Sequence, residues 1–214
     1  MAARERTSGK WPVPSGIGRG KRCLDVGCGA GTLSVQLALN GAEQVTAIDI
    51  QKAAVANTLT NAFRNGVADH VDGEIVDLYA FHPQKQYDVI AASLYQMPTD
   101  PVGKLSSHRP VDFWGRNLLD HLIEMLPQLL KPDGIAYLLQ ISLLSQSQTA
   151  QLFHDVGLES RVVDFNLYEF SSVFLENLDQ IERVEKSSDA YHFKLRDQHV
   201  MVMYLLEVRR GNDE

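Results

Sequence analysis

The chain has 214 residues, 44% of them hydrophobic and 22% charged, which is a globular composition and excludes an intrinsically disordered chain. This length is enough for one domain with a sizeable core and too short for two ordinary domains with a linker. Lys and Arg total 20 against 27 Asp and Glu, a net charge of −7. Nucleic acid is therefore not the expected partner, although a local basic patch stays open.

Cysteine and histidine spacing predicts no metal site. Cys23 and Cys28 are too few for a disulfide framework or a four-ligand zinc site. His121 and Glu124 share a helical face but have no third ligand beside them. The N-terminus lacks the apolar segment of a secretory signal, and no run approaches the roughly 20 apolar residues of a membrane span. We therefore expect a cytoplasmic protein that does not enter a membrane.

Short β-branched runs alternate with longer helical stretches from residue 22 onward, which predicts a doubly wound α/β fold with a mostly parallel sheet. Residues 1–20 are expected to be a flexible segment or a lid carrying Trp11 and Ser15, and residues 21–214 one domain. Residues 93–114 are predicted to be an irregular loop, and residues 171–198 a mixed insertion. The predicted strands are 22–26, 44–49, 74–77, 87–92, 135–141, 161–165 and 200–208, and the predicted helices are 32–39, 52–64, 117–130 and 147–156.

A glycine cluster follows the first strand, in the segment Leu24 to Gly31. In a parallel sheet this loop lies at the ligand-binding edge, and glycines let a ligand lie against the main chain. By itself the cluster could also be only a tight strand-to-helix turn. Asp49 ends the second strand, close to the spacing of about 20 residues at which an acid binds ribose in nucleotide sites. A NAD-linked dehydrogenase is disfavoured because the third glycine comes one residue early for its fingerprint.

The segment from Asp25 to Gly31 reads acidic-x-Gly-x-Gly-x-Gly and resembles the first motif of class I S-adenosylmethionine-dependent methyltransferases, with a likeness that extends over about residues 21–141. The resemblance implies a seven-stranded Rossmann-like sheet with helices on both faces and an antiparallel C-terminal strand. It also implies S-adenosylmethionine as cofactor. Asp25 would contact the methionine ammonium, Asp49 the ribose, Ile50 the adenine ring and Asp77 the adenine amino group. The implied cofactor-binding set is Asp25, Gly27, Cys28, Gly29, Gly31, Asp49, Ile50, Asp77, Leu78 and Ser93.

The loop after the fourth strand resembles the Asn-Pro-Pro-Tyr loop of the amino- and amide-methylating branch in its position and in its closing Pro98. It departs from that motif at each defining position, with Ser93 in place of Asn, Leu94 and Tyr95 in place of the prolines, and Gln96 in place of the aromatic residue. The planar amide recognition of that branch is therefore not expected.

Residues 106–117 carry the groups expected to hold an acceptor. His108 could act as a base, and Arg109 or Arg116 could hold an anionic group. Phe113 and Trp114 could contact an aromatic acceptor, or could only cap the core. The expected catalytic residues are His108, Tyr95 and Ser93. The expected substrate-binding residues are Tyr95, Gln96, Arg109, Phe113, Trp114 and Arg116.

The sequence therefore favours methyl transfer to a nitrogen or oxygen of a small-molecule acceptor. A protein or RNA N-methyltransferase is the alternative, and a catalytically silent scaffold of the same fold is a further one. The sequence allows a homodimer but does not require one.

Overall fold

A computed structural model of the chain describes residues 16–100 and 112–211. Within these residues eight strands and six helices follow one another. The strands are β1 (Arg22–Val26), β2 (Gln44–Asp49), β3 (Val71–Ile75), β4 (Tyr87–Ala92), β5 (Leu130–Ile141), β6 (Leu158–Glu169), β7 (Phe193–Leu195) and β8 (Gln198–Arg210). The helices are α1 (Thr32–Leu39), α2 (Lys52–Arg64), α3 (Asn117–Leu129), α4 (Gln146–Asp155), α5 (Ser172–Glu176) and α6 (Leu178–Ser187).

The strands form one sheet in the order β3-β2-β1-β4-β5-β8-β6, and β7 pairs with β8. β1 to β5 are parallel to their neighbours, whereas β8 runs antiparallel between β5 and β6. The mostly parallel sheet with an antiparallel C-terminal strand is confirmed. The short strand β7 is an addition that the sequence did not predict.

The sheet has an apolar core on each face because successive side chains of a buried strand point to opposite sides. In β1, Cys23 packs with α1 and α2, whereas Leu24 packs with α3 and α4. In β4, Val89 and Ile90 divide between the two cores in the same way. The predicted helices on both faces are thus confirmed.

Some boundaries differ from the predicted ones for local reasons. β3 ends earlier than predicted because Asp77 caps a 3-10 turn by accepting a hydrogen bond from the Tyr79 amide. It also begins earlier, at Val71, where it pairs with Val45 of β2. The predicted turn at residues 131–134 becomes an irregularity inside β5, since Tyr87 pairs with Leu130 and Val89 with Ile135. β6 and β8 extend beyond their predicted ends because they pair with each other along residues 158–169 and 200–210.

The predicted insertion contains α5, α6 and β7. Ile181 and Val184 of α6 are fully buried, which holds this helix against the domain. Asp189 accepts hydrogen bonds from the Ser145 hydroxyl and from the Ser147 amide at the start of α4. The insertion is therefore packed on the sheet domain.

Two further expectations concern the chain ends and the surroundings of the protein. Residues 1–15, with Trp11 and Ser15, lie outside the described residues, while Gly20 donates a backbone hydrogen bond to Gly41 and so belongs to the domain. In the part of the chain that the structure describes, no helix has the length and apolar character needed to cross a bilayer. The cytoplasmic location and the homodimer stay predictions.

Candidate functional site

The candidate site lies where β1, β2 and β4 end. β1 pairs with β2 on one side and with β4 on the other, so the chain changes direction in the sheet at this point. Parallel sheets bind ligands outside the carboxyl ends of the strands at such a switch point. The glycine loop after β1 and the acceptor loop after β4 therefore face the same crevice.

Backbone and side-chain hydrogen bonds from β2 and α2 hold the glycine loop. The Gly27 and Cys28 amides both donate to the Ile48 carbonyl, at 2.9 and 3.0 Å. The Thr58 hydroxyl and the Asn61 side-chain amide donate to the carbonyls of residues 29 and 30, at 3.3 and 2.8 Å. These hydrogen bonds hold the loop against β2 and α2.

Gly29 and Gly31 have positive φ angles but different surroundings. Gly31, at φ 79°, has no room for a side chain, because a Cβ there would lie 2.7 Å from the Thr58 Cα atom. Gly29, at φ 55°, has open space, with the nearest atom 3.9 Å from the same added Cβ. Gly31 is therefore needed for packing on α2, whereas Gly29 leaves room beside the main chain for a ligand.

Asp25 is fully buried beneath the glycine loop. Its Oδ2 atom accepts hydrogen bonds from the Ser34 amide at 3.0 Å and from the Ser34 hydroxyl at 2.5 Å, while its Oδ1 atom has no partner among the described residues. Burial raises the pKa of Asp25 to about 6, against the two hydrogen bonds from Ser34 that lower it. A buried carboxylate oxygen without a partner fits a site for a cationic group such as the cofactor ammonium.

Asp49 is half-buried at the end of β2 and connects the glycine loop to the start of α2. Its Oδ2 atom accepts from the Gly29 amide at 3.1 Å, and its Oδ1 atom accepts from the Gln51 amide at 2.8 Å. Since a carboxylate has about four acceptor positions, these two bonds leave capacity for ribose hydroxyls. Ile50, beside it, is 62% exposed and offers an apolar surface to a flat ring.

Asp77 and Leu78 lie after β3, next to the end of β2. The Val76 amide donates to the Asp49 carbonyl at 3.0 Å, which brings the two strand ends together. Asp77 is exposed, as an adenine-binding acid would be, and its Oδ1 atom accepts from the Tyr79 amide. Leu78 is only 7% exposed and packs in the core, so its side chain offers little surface to a ligand.

Cys28 and Ser93 occupy different positions around the loop. Cys28 is buried in the core that includes α1 and α2, and burial raises the pKa of its thiol to about 11, so the group is a neutral thiol. Ser93 is exposed after β4, and its carbonyl oxygen would lie 3.7 Å from a Cβ placed on Gly27. Of the two, Ser93 is positioned beside the crevice.

A small cavity of about 60 Å³ lies on the acceptor side. Tyr95 and Met97 from the loop after β4 line one wall, and Tyr79 from the turn after β3 lines another. Asp112 and Asn117 close it near the start of α3. The cavity thus joins the acceptor loop to the strand end that carries Asp77.

Among the described residues, four carboxylates lie near Tyr79 on one side of this cavity. The pKa of Tyr79 is raised, first by burial and then by the negative charges of four nearby carboxylates. Of these, Asp120 is paired with Arg116 at 2.7 Å. The carboxylates around Tyr79 are those of Asp77, Asp112, Asp120 and Glu124.

The structure uses Gln96 and Arg116 inside the fold, which corrects the expectation that they bind the acceptor. Gln96 is buried, donates to the Leu139 carbonyl and accepts from the Ile141 amide of β5. Arg116 is 3% exposed, and Asp120, the Ser145 carbonyl and Thr149 take up its guanidinium. Both side chains join distant segments of the chain, and this gives the physical reason for their burial.

The remaining expected acceptor residues are divided between surface positions and segments outside the description. Phe113 and Trp114 form an edge-to-face pair with ring centroids 4.9 Å apart, and they are 38% and 41% exposed. They therefore do not simply cap the core. His108 and Arg109 lie outside the described residues.

Sequence reasoning missed Tyr79, Asp112 and Thr58. Tyr79 comes two residues after the expected adenine-binding Asp77, and Asp112 lies within the polar stretch 106–117, so nearness to a motif was the available signal. Thr58 stands in the middle of a helix, and nothing in the local sequence marks its contact with the glycine loop. Within the described residues no group of His, Cys, Asp and Glu side chains could hold a metal ion.

Comparisons with known proteins agree with this geometry. The family of ribosomal protein L11 methyltransferases (PrmA) matches residues 15–99. A protein of Methanocaldococcus jannaschii, provisionally named a protein N5-glutamine methyltransferase, is 29% identical over 148 residues, which cover 67% of this chain and 74% of that protein. A tRNA1(Val) (adenine(37)-N6)-methyltransferase of Vibrio cholerae is 34% identical over 118 residues, which cover 53% of this chain and 48% of the relative.

Solved structures share the fold at low sequence identity. One is an S-adenosylmethionine-dependent methyltransferase from Geobacter sulfurreducens in complex with S-adenosylhomocysteine. It aligns with a TM-score of 0.52 and 17% identity, over 88% of this chain and 84% of that one. At this identity the structural likeness supports only the fold. The likeness to methyltransferases in sequence comes from the family match and from the two relatives.

Proposed function

We propose that this chain, which is a class I S-adenosylmethionine-dependent methyltransferase, methylates a nitrogen atom of a protein acceptor. The observation that carries the choice of acceptor is the presence of Asp77, Asp112 and Glu124 near Tyr79 at the acceptor-side cavity, since the charge of Asp120 is compensated by Arg116. A protein segment with Lys or an amino terminus complements such a surface, whereas RNA phosphates are repelled by it.

The cofactor, when bound, supplies an electrophilic methyl group on a sulfonium sulfur. We propose that Gly29 gives it room along the main chain, that Asp49 accepts from its ribose hydroxyls and that Ile50 and Asp77 contact its adenine. Asp25, with its unpartnered buried oxygen, would face the ammonium end. The roles of these residues as a binding set stay proposals, and the geometry of the loop supports them.

On the acceptor side, the chain's own residues position the nitrogen and exclude water. Ser93 follows β4 beside the glycine loop, and Tyr95, Tyr79 and Asp112 line the cavity. We propose that these groups orient the nitrogen, because methyl transfer from a sulfonium depends mainly on proximity and alignment. The base role of His108 stays a prediction, since this residue lies outside the described part of the chain.

The small-molecule acceptor expected from the sequence is the weaker alternative. The named relatives act on protein or on tRNA, which favours a macromolecular acceptor. An anionic small molecule was expected to bind Arg109 or Arg116. The guanidinium of Arg116 is bonded inside the fold, as is the side chain of Gln96, so neither is free to bind such an acceptor.

RNA is the second candidate for one reason. The match to the tRNA methyltransferase of Vibrio cholerae is the higher in identity of the two relatives described above, although it covers about half of either chain. The carboxylates around the cavity argue against this acceptor.

The test is to incubate the purified chain with S-adenosylmethionine carrying a tritiated methyl group and an extract of source cells that lack this gene. Protease, ribonuclease and filtration by mass then separate protein, RNA and small-molecule products. We expect protease-sensitive label that falls at least about tenfold with Asp49→Ala when S-adenosylmethionine is limiting. Label in RNA or in the low-mass fraction would replace the protein acceptor, and S-adenosylhomocysteine binding without any label would indicate a silent scaffold.

A further inference from the structure

The helix α6 of the insertion contacts two short flanks of the acceptor-side cavity, residues 99–100 after β4 and residues 112–113 before α3. Ile181 and Val184 bury the apolar face of this helix, and Gln180 and Arg183 lie on it one turn apart. Residues three apart on a helix are neighbours, so these two polar side chains can act together. The Arg183 Nη1 atom indeed lies 3.3 Å from the Gln180 Oε1 atom.

Gln180 holds the flank that leads into α3. Gln180 is only 2% exposed, and its Nε2 atom donates to the Phe113 carbonyl at 2.9 Å. A buried amide needs partners at both ends, and here Phe113 and Arg183 provide them. Loss of this amide would leave the Phe113 carbonyl without that donor.

Arg183 holds the flank that leaves β4. Its Nη1 atom lies 3.0 Å from the Asp100 Oδ2 atom in an ion pair that is partly exposed. The two flanks also meet directly, because the Thr99 amide donates to the Asp112 carbonyl at 2.8 Å. The two α6 side chains and this backbone bond therefore fix residues 99–100 and 112–113 relative to each other.

These flanks form walls of the acceptor-side cavity, through Met97 on one side and Asp112 and Gly115 on the other. The contact between them is close, since a Cβ on Gly115 would lie 2.4 Å from the Pro98 nitrogen. The glycine loop, in contrast, takes its hydrogen bonds from β2, α1 and α2. A shift of α6 would thus move the acceptor side and leave the cofactor side in place.

We propose that Gln180 and Arg183 are positioning residues that set the acceptor-side cavity from the insertion helix. The role in acceptor binding rests on the proposed function, whereas the role in holding the two flanks does not. Neither side chain takes part in the transfer itself, so their effect should appear in acceptor affinity more than in the maximal rate.

The first part of the test needs no acceptor and uses the full chain. Trp114, next to Phe113, reports on the flank by fluorescence when Trp11 is replaced with Phe. We expect acrylamide quenching of Trp114 to rise about twofold in Gln180→Met and in Arg183→Ala, because both lose a bond to a flank. Arg183→Lys should restore most of the protection, and Lys186→Ala, an exposed change on the same helix, should have no effect.

Affinity for S-adenosylhomocysteine, measured by calorimetry, should stay within about twofold in all these variants, since α6 does not hold the glycine loop. With the unmethylated form of the protein fraction that takes up label as acceptor, the half-saturating acceptor concentration should rise by about three- to tenfold while kcat stays within about twofold.

Unchanged quenching in Arg183→Ala would overturn the positioning role. The role would also be overturned if this variant lost as much affinity for S-adenosylhomocysteine as it lost for the acceptor. Arg183 is 54% exposed, so this variant should fold even if Gln180→Met does not. If no protein fraction accepts label but the quenching changes as expected, the proposed acceptor fails and the holding of the flanks stands.

Discussion

At the scale of single residues, three aspartates at strand ends have three different environments. Asp25 is buried with one oxygen unpartnered, Asp49 is half-buried between two backbone amides, and Asp77 is exposed at the start of a turn. These environments are compatible with the three roles proposed for the aspartates, because burial and hydrogen bonding decide which polar groups a carboxylate can accept from. These differences lead to two predictions.

The buried Asp25 should make folding depend on pH. Its pKa of about 6 in the folded chain is above its ordinary value of 3.8, so the folded state retains the proton longer than the unfolded state. The free energy of unfolding contributed by this group is therefore highest below about pH 4 and falls as the pH rises to about 6, by about 3 kcal/mol in total.

Urea unfolding at several pH values checks this prediction. The free energy of unfolding of the wild type, minus that of Asp25→Asn, should fall between about pH 4 and pH 7, since the amide does not titrate over this range. A constant difference across the range would show that Asp25 titrates normally in the folded chain.

Asp49 should control cofactor affinity. Asp49→Ala removes a charged acceptor, and hydrogen bonds to charged groups contribute about 1.5–3 kcal/mol, so the affinity for S-adenosylhomocysteine should fall at least about tenfold. Asp49→Asn, which keeps one acceptor oxygen, should lie between Ala and wild type. Calorimetry measures these affinities, with Asp69→Asn as the control because Asp69 is exposed away from this crevice.

Equal affinities in wild type and Asp49→Ala would remove the assignment of this residue. Thermal melting is needed beside calorimetry, because Asp49 also accepts hydrogen bonds from the amides of Gly29 and Gln51. A large fall in melting temperature would mean that the loss of affinity reflects a disordered loop.

At the scale of elements, the glycine loop and α2 form one packed unit. Thr58 and Asn61 hydrogen bond to the loop from consecutive turns of the helix, and Gly31 lies against Thr58. The motif thus combines positions that serve packing with positions that leave space, and substitution can separate the two.

Gly31→Ala should mainly destabilise the fold, whereas Gly29→Ala should mainly weaken cofactor binding. Alanine at position 31 meets the backbone of α2 at 2.7 Å, so it should destabilise the fold by about 2–4 kcal/mol through strain and overpacking. Alanine at position 29 meets no atom nearer than 3.9 Å, so it should cost only about 1–2 kcal/mol for its left-handed φ angle while weakening cofactor binding strongly.

Chemical unfolding and calorimetry on the two variants separate these effects. If Gly29→Ala unfolds the chain as much as Gly31→Ala does, then both glycines serve the turn. If Gly29→Ala binds S-adenosylhomocysteine as tightly as wild type, the space beside Gly29 is not the cofactor site.

At the scale of the whole molecule, the sheet order brings distant segments to one crevice. β1, β2 and β4 come from the first 92 residues, whereas α6 of the insertion reaches the same region after β6. β8 enters between β5 and β6, so the last strand of the chain completes the sheet from within. The cofactor side is therefore assembled from the first half of the chain, and the acceptor side requires both halves.

The residues proposed for the cofactor side could be predicted from local sequence. The glycine spacing, Asp49 at the end of β2 and Asp77 after β3 are local features, because each depends on a strand followed directly by its own loop. The alternation of strands and helices determined the parallel sheet for the same reason, since hydrophobic runs and turn residues act within short stretches of chain. The bounds of β1, β2 and β4 follow from such runs.

The residues proposed for the acceptor side could not be predicted in the same way, because they depend on contacts between distant segments of the chain. Gln96 and Arg116 belong to residue types that often bind ligands, yet they are buried against β5 and α4. Gln180, with no motif around it, instead holds the Phe113 carbonyl from 67 positions away. A polar side chain in a loop forms a binding group or a structural bond according to which distant elements pack beside it, and local sequence carries no record of those neighbours.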